Sequence, residues 1–303
     1  MKGHIIIPEF YRTRFTDDWR HLLAMVAKEF RFKVEYNDNP RVAQDTEVVI
    51  LFAVPHHMRP TVLANMATIP RPIKVIGYMK DIQHYDKPEV EAAYKRMFDR
   101  YDVILSSADE AMRRFYPEYM EKSIYFPDFF GPHERYADLP YNEKPLMRCL
   151  VSGSVTKEVY PLRAHILDKG SDEYLDYLPG PLVGHDIVGD KYAGLLNRYF
   201  CVACCSGIFH NTVAKYFEIP AAGALLIANR INDLYLLGFE PWKHYVPIVK
   251  ETAIPTIKDA LANPDKYEPI RKAGREFVLA NHSIRNRFEQ IKKAINGVLD
   301  NRP

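Results

Sequence analysis

Residues 200–229 read FCVACCSGIFHNTVAKYFEIPAAGALLIAN. FCVACC is a short, continuously apolar run, and ALLIAN is a second. Between them, NTVAKYFEI spaces its apolar residues as a helix does. Strand, helix and strand make one crossover unit, and such a unit joins parallel strands. Working outward, the same alternation recurs along most of the chain. HIIIP, FKVEY, EVVILFAV, IKVIGYM, YDVILSS and SIYFP read as buried strands of the first half. DDWRHLLAMVAKEF and EVEAAYKRMFDR read as amphipathic helices between them. Later, MRCLVSG is a strand, YPLRAHILDKG a helix ending at Gly170, DKYAGLLNRY a helix, and HYVPIVK a last strand. Val- and Ile-rich strands alternating with helices predict parallel, doubly wound sheets.

The chain has 303 residues, 47% of them hydrophobic and 26% charged. That length suits two domains of roughly 150 residues. The polar, proline-bearing stretch GPHERYADLPYNEKPL interrupts the alternation and reads as a linker. The expected organisation is a first domain over 1–138, a second over 139–285, and a final helix over 286–303. Two Rossmann-like α/β domains of this kind face a cleft, and ligands bind at the carboxyl edges of such sheets. The net charge of +2 offers no basic field for nucleic acid. No run approaches the ~18 apolar residues of a membrane span. The chain enters its first strand at once, so the expectation is a cytoplasmic protein without a secretory leader.

Cys201 and Cys204 form a C-x-x-C, which suits a redox pair or half a zinc site. They lie in a strand, where residues three apart point to opposite faces. Together with Cys149 and Cys205 they read as buried structural thiols.

Chemistry concentrates in the second half. After the strand ending at Val151, Ser152, Gly153 and Ser154 turn toward a helix. Glycine permits close backbone approach, and the turn's N–H groups and hydroxyls suit a phosphate. Lys157 and Arg163 supply cations for a diphosphate. G-x-G-x-x-G and G-x-x-x-x-G-K-[ST] are absent, which removes dinucleotide and P-loop readings. No D-x-D stands at a strand end to hold a metal, so charge neutralisation falls to Lys and Arg. Glu218 interrupts an apolar helix; a carboxylate there can accept two vicinal ribose hydroxyls. Lys215 and Asn211 precede it on the same predicted face, and Ala-Ala-Gly follows, with room for sugar or phosphate against the backbone. A structural Lys–Glu pair and a tight helix-to-strand turn are the plainer alternative.

KYFEIPAAGALLIANRINDLYLLGFE, LVSGSVTKEVYPLR and NPDKYEPIRKAGREFVLANHSIRNRFEQI together resemble the GT-B glycosyltransferases, group-one, CgeB-like type. The resemblance implies a nucleotide-sugar site in the second domain, with Glu218 on the donor ribose and with Arg163 and Lys215 facing the diphosphate. It also implies that the last helix crosses back. PWKHYVPI, residues 241–248, is similar to a stretch of the capsule-associated protein O-glucosyl/xylosyltransferase family, which makes UDP the first expectation for the nucleotide. Where many retaining GT-B enzymes carry E-x7-E, the first acid is replaced here by His210. His210 is a candidate to face the sugar or its phosphate.

Glycosyl transfer needs a base for the acceptor hydroxyl. Asp81, then His84, in GYMKDIQHY are the first-domain candidates, with His56 and His57 in PHHM behind them. Glu9 and Arg12, after the first strand, are candidates to touch the acceptor. The expected function is metal-independent transfer of a sugar from a nucleotide-sugar to a glycan or other hydroxyl acceptor, without a cofactor. A non-catalytic two-lobed nucleotide or sugar binder and a sugar-nucleotide epimerase are the alternatives.

Overall fold

Six short strands rich in Val and Ile form the first sheet in a computed structural model, which describes residues 2–12, 17–39, 42–53, 69–80, 82, 88–180 and 187–300. β1 (Gly3–Ile7), α1 (Asp17–Phe30), β2 (Lys33–Tyr36), β3 (Val48–Ala53) and β4 (Lys74–Met79) come first. α2 (Pro88–Arg100), β5 (Val103–Ser106), α3 (Asp109–Phe115) and β6 (Ser123–Tyr125) follow. The strand order is β2-β1-β3-β4-β5-β6, all parallel, with Ile5 opposite Ile50 and Ile50 opposite Ile76. Side chains of alternate residues fill both faces. Trp19 of α1 packs on Tyr78 at 4.2 Å, and Tyr78 on Phe52 at 4.9 Å. The opposite face sets Val49, Leu51 and Val75 against Tyr94, Met97 and Phe98 of α2.

The second sheet is built from β7 (Leu146–Ser152), β8 (Leu175–Leu178), β9 (Tyr199–Cys204), β10 (Leu225–Asn229) and β11 (Val246–Ile248). Its helices are α4 (His133–Ala137), α5 (Pro161–Lys169), α6 (Asp190–Arg198), α7 (Lys215–Ala221), α8 (Asn232–Leu236), α9 (Ala253–Ala262) and α10 (Pro264–Asn281). The order is β11-β10-β9-β7-β8, again parallel. Strand order therefore reverses between β7 and β9, and the crevice outside the carboxyl ends of two such strands is where open α/β sheets bind ligands. Cys204 packs with the cluster on one face of the sheet, while Cys149, Cys201 and Cys205 pack with the cluster on the other. All four are free, and burial raises the Cys204 thiol to about 11. The C-x-x-C is thus structural, as the strand geometry requires.

β8 goes unrecognised in the sequence. It is a short edge strand whose polar Asp176 accepts two bonds from Arg148, at 2.7 and 2.8 Å. The chain divides into one unit of residues 1–127 and 285–303 and another of 128–284. The sequence reading instead placed the boundaries at 138/139 and 285/286. The segment 131–146 is not a free tether. Arg271 donates to the carbonyl of Asn142 at 2.8 Å, Tyr141 donates to Glu268 at 2.6 Å, and Arg275 donates to the carbonyl of Leu139. Two backbone carbonyls and the Tyr141 hydroxyl thus bond this segment to α10.

The last helix, α11 (Ile284–Asp300), groups with the first unit. Gln290 donates to the carbonyl of Tyr125 at 2.6 Å and Arg287 to that of Pro127 at 3.2 Å. Ile291 and Ile295 are buried. Among the described residues no helix is long and apolar enough to cross a membrane.

Candidate functional site

The reversal point of the second sheet is occupied by two cations and a glycine. Gly153 follows β7 with φ +113°, a conformation that L side chains rarely adopt. A Cβ on it would lie 2.4 Å from Lys215 Nζ and 3.0 Å from Arg163 Nη1. Lys215 is the first residue of α7 and donates to the carbonyl of Ser152 at 3.0 Å. Arg163, on α5, donates to the carbonyl of Ser154 at 2.5 Å and to that of Cys205 at 3.0 Å. Its guanidinium thus bridges the segments that leave β7 and β9. It also stacks 4.3 Å from the centre of the Tyr160 ring, and its buried Nε has no partner among the described residues. Burial lowers the Lys215 ammonium to about 8; the charge of Arg163 adds to the lowering and that of Glu218 opposes it.

Glu218 lies one turn along α7, half-buried. The hydroxyl of Tyr136, on α4, donates to its Oε1 at 3.1 Å. Burial raises the carboxyl above its usual range, while Lys215 and the Tyr136 bond pull it down, Asp128 pushes it up and Arg135 pulls it down. An acid, an ammonium and a guanidinium therefore share one partly desolvated corner. This arrangement suits an anion with a neighbouring pair of hydroxyls.

Several details differ from the sequence reading. The amide of Gly153 is not free, because it donates to the carbonyl of Leu178 at 2.9 Å. The hydroxyl of Ser152 is within 3.0 Å of the Tyr192 hydroxyl. Ser154 is exposed, with its hydroxyl 3.1 Å from that of Thr156, and Lys157 is exposed in the turn that follows. α5 begins only at Pro161, so its N-terminus does not directly continue the Ser-Gly-Ser turn. Asn211 precedes α7 and so does not share a helical face with Glu218; it is buried in the segment before the helix. His210 is exposed with φ +55°.

The Ala-Ala-Gly run is not a sugar cradle either. Ala221 and Ala222 are fully buried in the core. Gly223 has φ +84° and donates to the carbonyl of Pro220 at 2.8 Å, while Ala224 donates to that of Ile219 at 3.1 Å. That pattern closes the end of α7. PWKHYVPI leads into and forms β11; its first residues therefore lie at the amino edge, opposite the cations. Asp81, His84, His56 and His57 lie outside the described residues. Glu9 and Arg12 pair with each other at the end of β1, Arg12 Nη2 donating to Glu9 Oε2 at 3.0 Å, and this pairing lowers the Glu9 carboxyl.

Tyr136, Tyr177 and Tyr192 bond to Glu218, Gly153 and Ser152 of the candidate site, and sequence reading did not single them out. Tyr177 donates to the carbonyl of Gly153 at 3.1 Å. Their only sequence signal was the abundance of tyrosine, 20 residues, which singles out none of them.

Residues 153–293 match the family described as glycosyl transferase-like. Curated proteins give no sequence match. Among solved structures, HepE of Anabaena in complex with UDP-glucose is similar with a TM-score of 0.65 at 11% identity, covering 98% of this chain and 100% of that one. Sucrose-phosphate synthase from Thermosynechococcus elongatus gives 0.66 at 10% identity, covering 99% and 100%. An alpha1,3-fucosyltransferase gives 0.63 at 12% identity, covering 100% and 91%. Residues 153–293 thus carry a glycosyl transferase-like pattern, and the two parallel-sheet α/β units have the fold of the GT-B structures.

Proposed function

We propose that the chain moves a sugar from a UDP-sugar to an acceptor hydroxyl without a divalent ion. The observation that carries this reading is the convergence of Arg163 and Lys215 on the side-chain-free backbone of Gly153. Two cations at the reversal point of the sheet match the charge of a diphosphate, and they stabilise it as it leaves. Glu218, one turn along α7, receives the ribose hydroxyls. UDP is preferred because HepE, with the same fold, holds UDP-glucose. The resemblance to the CgeB-like branch through the Glu218 and Arg271 segments supports the subtype. The acceptor oxygen attacks the anomeric carbon as the bond to the diphosphate breaks, and its proton passes to a base. Asp81 is the first candidate for that base and His84 the second.

The test is a titration of UDP, GDP and ADP against the thermal midpoint, with and without EDTA, since a ligand of the native state raises that midpoint. UDP is expected to raise it most, and EDTA to leave both the rise and the turnover of UDP-sugars intact. A strict manganese requirement overturns the metal-free reading. A greater rise with GDP or ADP overturns the choice of base.

A further inference from the structure

The geometry points to Tyr136 as a positioning residue for Glu218: its hydroxyl holds the carboxylate in the orientation that receives the ribose diol. This rests on the donor-site reading above. Tyr136 is 82 residues from Glu218 in the chain, on a segment whose composition reads as a tether. The structure instead buries its ring, 1% exposed, with Phe130 edge-on at 5.3 Å. The segment that carries it is held by three side-chain bonds. The Tyr136 carbonyl accepts from Arg275 at 3.3 Å, and Arg135 donates to Gly131 at 2.8 Å and to Asp190 at 2.5 Å. The phenol is therefore a fixed donor on a fixed ring.

Glu218 needs such a donor. The terminal torsion of a glutamate is broad, so a half-buried carboxylate held at neither oxygen has no single orientation. A carboxylate offers about four lone-pair sites. One bond from Tyr136 to Oε1 sets its plane and leaves acceptor sites on both oxygens for two hydroxyls. The same bond favours the ionised form, against burial and the nearby Asp128; Lys215 and Arg135 act in the same sense as the phenol. Ionisation matters because a protonated acid would present a donor to a ligand that itself presents two.

The experiment measures the affinity of the full chain for UDP and for 2′,3′-dideoxy-UDP by calorimetry, in the parent, Tyr136→Phe and Glu218→Ala. Phenylalanine keeps the ring packing and removes only the hydroxyl. Tyr136→Phe is expected to bind UDP about tenfold more weakly, the scale of one hydrogen bond to a charged group. Its affinity for the dideoxy ligand should be unchanged, which also shows that the variant is folded. Loss of the donor raises the Glu218 carboxyl, so the acid limb of UDP binding should move to higher pH. Equal weakening for both ligands, or unchanged UDP affinity, reduces Tyr136 to a packing residue and overturns the inference. If Glu218→Ala discriminates between the ligands and Tyr136→Phe does not, only this inference fails. If Glu218→Ala does not discriminate, the ribose reading itself is wrong and the inference falls with it.

Discussion

Lys215 carries the sharpest consequence for a single side chain. Its ammonium is lowered to about 8 by burial and by Arg163, against the usual lysine value of 10.5. In the unliganded chain it therefore loses its proton near pH 8, while the unfolded chain keeps it to about 10.4. Between those values the unfolded chain binds more protons, so this residue makes stability rise with pH. Below pH 8 both states are protonated and its unfavourable contribution is constant. A bound diphosphate favours the charged form, so UDP binding takes up a proton above pH 8. We expect UDP affinity to fall about tenfold between pH 7 and pH 9. A Lys215→Arg chain keeps its charge throughout and should lose most of that fall, while ionisation of the nucleotide is common to both. Calorimetry in buffers of different ionisation enthalpy checks the proton uptake directly. An equal pH slope in both chains would assign the effect elsewhere.

Helix α10 shows how an element can be recognised without its purpose being visible. Its segment is legible as a helix with Pro264 at the start, and its resemblance to a family tail is legible as well. Its bonding is not. Arg271, buried on α10, donates to the carbonyl of Gly223 at 2.5 Å and to that of Asn142 at 2.8 Å, and stacks 4.5 Å from the centre of the Tyr141 ring. These partners come from the end of α7 and from the supposed linker, and no periodicity connects them. Arg271→Ala leaves the carbonyls of Gly223 and Asn142 without this donor and should destabilise the chain by about 3 kcal/mol. Lys272→Ala removes an exposed pair 3.7 Å from Glu268 and should cost no more than about 0.5 kcal/mol. Urea midpoints of the two variants check the contrast. The same limit governs the candidate site. Gly153, Arg163, Lys215 and Glu218 were legible because a strand end, a cation spacing and an acid inside an apolar helix are local signals. Tyr136 was not, because its contact with Glu218 depends on a fold that places α4 beside α7. The alanines after Glu218 were misread for a related reason: smallness suits both a ligand and a close-packed core, and here the core uses it.

For the molecule as a whole, the two units differ in continuity. The unit of residues 128–284 is one uninterrupted stretch, while the other needs residues 285–303 to complete it. α11 places Ile291, Ile295 and Val298 in buried positions. Each such side chain contributes about 1.5–3 kcal/mol when taken from water. Truncation after Ile284 is therefore expected to unfold the first unit and to leave UDP binding by the second intact. Limited proteolysis with calorimetry of the protected fragment checks this. Protection of the first unit, or loss of UDP binding, contradicts it.

The amide of Ile284 donates to the carbonyl of Phe130 at 3.0 Å, beside a parallel bridge between Phe130 and Ser283. The two ends of the continuous unit are thus laced together, although more than half the chain separates them. During synthesis from the amino terminus, the unit of residues 128–284 is complete before the other unit receives its closing helix. By folding first, it shortens the span that the late-arriving helix must search, and a mutation that slows its folding would delay its neighbour's completion as well.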